Sequence, residues 1–79
     1  MPGAPAREAL AQLTPRQLVI LRAMGRGLTS EAIAEELGLS VHTVHFHRRN
    51  LRRVLKVETE GGLEVYASRV VAEEGWEEG

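Results

Sequence analysis

The chain has no cysteine. That excludes a disulfide framework, a thiolate zinc site and a thiol nucleophile. It has no aspartate either, so aspartyl phosphorylation is closed to it and every acid is a glutamate. Aromatics are scarce: Phe46, Tyr66 and Trp76 are the only ones. No apolar run approaches the roughly 20 residues that cross a bilayer. The opening MPGAPAREAL lacks the apolar stretch of a secretory leader. The expectation is a cytoplasmic protein with no membrane contact. No nucleophile–base–acid set and no phosphate-binding loop is visible, so no enzyme, cofactor or metal site is expected.

What is present fits one small domain of 79 residues. A core of this size leaves little net stability, which favours association with a second copy. The formal net charge of -1 hides a split. Residues 38–57 hold Arg48, Arg49, Arg52, Arg53 and Lys56 with no acid among them. Beyond Val71 the charges are Glu73, Glu74, Glu77 and Glu78, with no base. A nearby polyanion responds to such a local field rather than to the sum.

Residues 1–4 read as an arm, and the stretch PAREALAQ as a short leading helix docked by Leu10 and Leu13. Thr14, Pro15 and Gln17 together spell a helix start with a capping box. Ile20, Leu21 and Met24 then form a core stripe, and Gly25 and Gly27 close the helix. Leu18 and Val19 fall off the stripe. They are expected under the leading helix, with a partner contact as the alternative.

A second well-marked helix is capped by Thr29 or Ser30 and runs to about Leu37, with Ile33, Ala34 and Leu37 inward. Gly38 supplies a left-handed turn residue, Leu39 plugs the core and Ser40 caps the next helix. Ala34, Gly38 and Val44 form the diagnostic trio. A small residue admits the crossing helix, a glycine turns the chain, and a branched knob packs back. That is the pattern of a helix-turn-helix.

The following helix spans residues 41–56. On a helical wheel Val44, Leu51 and Leu55 share one side, flanked by Val54 and His47. His42, His45, Phe46, Arg49, Arg52, Arg53 and Lys56 share the other. Stacked like charges cost a solvated helix stability, and a phosphate backbone relieves that cost. His42 and His45 read as groove or phosphate contacts. Phe46 is placed to meet a thymine methyl and Arg49 a guanine edge. The histidines do not make a metal site, because His47 projects roughly opposite His45. A last helix is expected over residues 62–74, with Leu63, Tyr66, Ala67 and Val70 inward. Val65, Ser68, Arg69 and Ala72 form an opposite face of mostly small residues, a candidate homodimer interface. Trp76 should seek cover against the body or a partner.

Several motifs together resemble the LuxR/FixJ/GerE-type DNA-binding domain of bacterial transcription regulators. They are Leu13-Thr14-Pro15-Arg16, Ile20-Leu21, Gly27-Leu28-Thr29, Ile33-Ala34, Leu37, Leu39-Ser40, Thr43-Val44, His47, Leu51, Leu55 and Val57. The resemblance covers residues 13–67. It implies an all-α, four-helix domain whose third helix enters the major groove and whose fourth commonly forms a homodimer. It implies base contacts at His45, Phe46 and Arg49, and phosphate contacts at Thr43, His47 and Ser40. The chain departs from the pattern in places. The family usually has Lys where His45 stands, a basic residue at Val54, and Glu at Gln17 and Ala32. Where it often has Arg-Thr-Glu-Ala, this chain has Glu60-Gly61-Gly62-Leu63, and Glu60 is expected to repel a phosphate.

The combined expectation is a stand-alone regulator of the LuxR type. Residues 1–12 form an arm or short extra helix, residues 13–74 the DNA-binding domain and residues 75–79 an acidic tail. Its partners are double-stranded DNA, a second copy and, as a further contact, RNA polymerase. Base contacts fall to His45, Phe46, Arg49 and His42. Backbone contacts fall to Ser40, Thr43, His47, Arg48, Arg52, Arg53 and Lys56. Two alternatives are a sigma-factor region 4-like domain and a protein-interaction module that titrates another regulator.

Overall fold

A computed structural model describes residues 7–74, with side chains from residue 9 onward. The expected arm and Trp76 lie outside the described residues. Among the described residues five α-helices follow in order: α1 (Arg7–Ala11), α2 (Pro15–Gly25), α3 (Ser30–Leu37), α4 (Val41–Leu55) and α5 (Glu60–Glu73). The fold is therefore all-helical, four main helices preceded by a short one, as expected.

Side-chain caps start all four main helices. The Thr14 hydroxyl accepts from the Gln17 amide at 3.1 Å, and the Gln17 carboxamide accepts from the Thr14 amide at 2.9 Å. Thr29 caps α3, Ser40 caps α4 and Thr59 caps α5 in the same way. Each such cap typically contributes about 1 kcal/mol. The expected start at residue 62 is corrected: α5 begins at Glu60, because Thr59 caps it and accepts from the Gly62 amide at 2.9 Å. The glycine pair thus lies inside the first turn rather than before it.

The ends of α2, α3 and α4 share one geometry. A left-handed residue stops the helix, and the next amide reaches back to a carbonyl five residues earlier. The bonds are Leu28 N to Ala23 O, Leu39 N to Ala34 O and Val57 N to Arg52 O. The left-handed residues are Gly27, Gly38 and Lys56. In each case the residue after the turn is apolar and packs on the core, which anchors the reversal. Lys56, at φ 60°, does without glycine what Gly27 and Gly38 do with it.

The core joins Ile20, Leu21, Ala23 and Met24 of α2 to Ile33 and Ala34 of α3. Val44, Leu51 and Leu55 of α4 and Leu63, Ala67 and Val70 of α5 complete it. The trio read from sequence keeps its roles: Ala34 and Val44 are buried, and Gly38 turns the chain at φ 70°. Helix α5 lies mainly on α2. Their approach is close at Gly25, where an added Cβ would stand 2.4 Å from the Ala67 carbonyl oxygen and 2.4 Å from Val71 Cγ2. Val19, expected under the leading helix, is instead exposed at 42%, and Leu18 is half-buried. The five-residue α1 is too short to reach over both.

Candidate nucleic-acid interface

The sequence of α4 determines which side it offers to solvent. Val44, Leu51 and Leu55 are buried, so residues about half a turn away must face out. His42, His45, Phe46, Arg49, Arg53 and Lys56 are all exposed. Phe46 is 53% exposed, too much for a side chain serving the core. Its ring meets that of His47 edge-on, with centroids 5.7 Å apart. His47 is half-buried beneath it, where the wheel placed it. The Arg53 guanidinium donates to the Asn50 side chain on the same helix. At the front of α4, the Ser40 hydroxyl is 3.0 Å from that of Thr43, so the two oxygens sit together at the positive end of the helix.

Arg48 is a correction. Expected to contact the DNA backbone, it is only 7% exposed and points inward. Its Nη1 donates to Ser30 Oγ at 2.9 Å. Nε and Nη2 donate to Glu60 Oε1 at 3.1 and 2.6 Å, and Nη2 also reaches Glu64 Oε2 at 3.3 Å. The wheel carried the signal. Arg48 stands four residues after Val44 and three before Leu51, roughly 40° from the centre of the apolar stripe. Its charged type outweighed its position in the sequence reading.

The reading of Glu60 as a phosphate-repelling charge changes with it. Its carboxylate is engaged by Arg48 and lies 3.6 Å from Arg52 Nη1. Arg52 is half-buried, and its Nη2 donates to the Glu58 carbonyl at 2.7 Å. It therefore borders the outer face instead of standing on it. The sequence marks Ser30 only as a possible cap, Glu60 only as a repelling charge and Glu64 not at all, so none is legible as a partner of Arg48. That role appears only when α3 and α5 close around Arg48.

The acidic end of the chain does not cover the basic face within the described residues. Glu74 pairs with Arg22 of α2 through two 3.0 Å bonds. This contact raises the Arg22 pKa, chiefly through its hydrogen bonds to Glu74. On α5, Val65, Ser68, Arg69 and Ala72 are exposed together, with Val65 at 60%. Among the described residues no His and Glu cluster has the makings of a metal site, and no helix is long and apolar enough to cross a membrane.

Comparison with known proteins fits this geometry. The model of the bacterial regulatory proteins of the luxR family matches residues 11–67. The transcriptional regulatory protein MctR of Rhizobium johnstonii is 38% identical over 65 residues, covering 82% of this chain and 30% of that protein. The transcriptional regulatory protein UhpA of Escherichia coli is 42% identical over 48 residues, covering 61% of this chain and 24% of UhpA. A nitrate/nitrite response regulator protein homolog of Haemophilus influenzae is 42% identical over 50 residues, covering 63% and 24%. The chain thus spans between about a quarter and a third of the length of these relatives. No solved structure gives a significant match.

Proposed function

We propose that this chain, which belongs to the luxR family of bacterial regulatory proteins, regulates transcription by reading double-stranded DNA with α4. One observation carries the reading: the outer face of α4 holds Arg49, Arg53 and two histidines, with Lys56 exposed at its C-cap and no acid on the helix. Arg49 is assigned to a guanine edge and Phe46 to a thymine methyl, with His45 and His42 beside them in the groove. Ser40, Thr43, His47, Arg53 and Lys56 are assigned to the phosphate backbone. Arg52 serves there from the edge of the face, and Arg48 leaves the contact set.

The exposed apolar surface supports protein partners as well. Val65, Ser68, Arg69 and Ala72 are the proposed homodimer face, and a dimer would favour two half-sites about 34 Å apart. Val19 on α2 supplies a second exposed apolar point, suited to a contact with RNA polymerase. The chemistry of the face is binding chemistry, so no catalysis is proposed. Selection of bound sequences from a random duplex pool, at stated salt, tests the proposal. Enrichment of a two-part site is expected. A pool that stays random, with no retardation of any duplex at low salt, would refute DNA recognition and favour a module that titrates another regulator.

A further inference from the structure

Arg48 belongs to the basic helix by sequence but adds nothing to its outer charge. Its three partners lie on two other helices: Ser30 opens α3, and Glu60 and Glu64 occupy the first turns of α5. A guanidinium is a planar fork with fixed donor directions. Held from two sides, it sets how far α4 stands from each neighbour and how it is rotated about its own axis. Core packing ties α4 to α2 and α3, but between α4 and α5 the other ties are few, because α5 packs chiefly on α2. Only the arginine end of the node is buried, with Glu60 and Glu64 half-exposed or more, so losing a glutamate leaves a buried guanidinium with fewer acceptors.

Rotation matters at the tips of the side chains. A turn of about 10° moves a point on the outer surface of a helix by roughly 1 Å. Binding constellations tolerate displacements of only about that size. Arg49 follows Arg48 in the chain, and His45 and Phe46 lie within one turn of it. Whatever rotates α4 at Arg48 therefore displaces all three. We propose that Arg48 is a positioning residue: with Glu60 and Glu64 it fixes the attitude at which α4 presents Arg49, Phe46 and His45 to a duplex. The inference rests on α4 being the DNA-reading helix. It removes one arginine from the expected contacts and assigns two glutamates of α5 to the accuracy of recognition.

The full chain and two variants, Arg48→Met and Glu60→Gln, would be titrated into a selected duplex and a scrambled duplex across a salt series. Residual dipolar couplings of the free proteins would report the angle between α4 and α5. In both folded variants the angle shifts, and the ratio of selected to scrambled affinity falls about tenfold or more, the worth of one lost base contact. The salt dependence of Arg48→Met keeps the wild-type slope, because no phosphate contact has been removed. Glu60→Gln is the sharper arm. Removing a negative charge beside α4 should by electrostatics alone tighten binding to both duplexes and leave the ratio intact. An unchanged angle and ratio in folded variants would overturn the proposal. So would a slope reduced by about one in Arg48→Met, the mark of a phosphate contact. If Arg48→Met does not fold, Glu60→Gln decides alone. If the wild-type chain binds no duplex, DNA reading fails, and the couplings still decide whether the node orients α4.

Discussion

Arg49 and Arg48 are neighbours in the chain, yet one is exposed and the other buried. The outer one is expected to behave as a base reader. Arg49→Ala should cost on the order of 1–3 kcal/mol against the selected site and relax preference at one base position. Anisotropy titrations against single-base variants of that site would measure it, and an equal loss on every sequence would make Arg49 a phosphate contact instead. Lys56 holds two roles in tension. It stands in the left-handed region, where a side chain costs roughly 1 kcal/mol or more, and it is proposed to hold a phosphate. Lys56→Gly should therefore raise the unfolding free energy by about 0.5–1 kcal/mol while lowering the salt slope of DNA binding by about one. Urea melts and salt titrations on the same preparation would show the two moving in opposite senses. At this scale the sequence was only partly legible. Caps at Thr14 and Ser40 and the turn at Gly38 are local chemistry and could be read directly. Lys56 broke the expectation that glycine marks such a turn, and Arg48 needed its wheel position weighed above its charge.

Among the elements, α2 and α5 are the pair most tightly constrained by a single atom that is absent. At Gly25 an added methyl would meet the backbone oxygen of Ala67, which cannot swing aside as a side chain can. Gly25→Ala should destabilise the fold by about 1–3 kcal/mol, despite alanine's better helix propensity. Thermal melting checks the sign, and a stabilised variant would mean that the two helices separate easily. From sequence Gly25 reads only as a helix end, because a crossing partner leaves no trace in the local pattern. The inward residues of α5 were legible from their spacing, and Leu63, Ala67 and Val70 are buried as read. Its first turn was not, because glycines at residues 61 and 62 argue against a helix that Thr59 and the Arg48–Glu60 contact support.

For the whole molecule, assembly turns on the outer side of α5. If that side joins two copies, Val65→Glu should hold the chain monomeric at concentrations where wild type pairs. Its affinity for a two-part duplex should fall toward that for a single half-site. Sedimentation and titration with both duplexes would test this. A wild-type chain that remains monomeric at all concentrations would remove α5 from the proposed interface. The helix-turn-helix itself could be read from sequence because its parts are close along the chain. The node that joins it to α5 could not, because its residues lie 12 to 18 positions apart.

The bare outward side of α4 has a consequence at the chromatography bench. With a formal charge of -1, the chain should flow past or cling weakly to an anion exchanger near neutral pH, as an unremarkable acidic polypeptide would. A heparin resin should nonetheless retain it, because a sulfated sugar samples the cluster around Arg49, Arg53 and Lys56 and not the average. Elution from that resin should come at lower salt once those three side chains are neutralised, and lower than when three cations away from α4 are neutralised to the same overall charge.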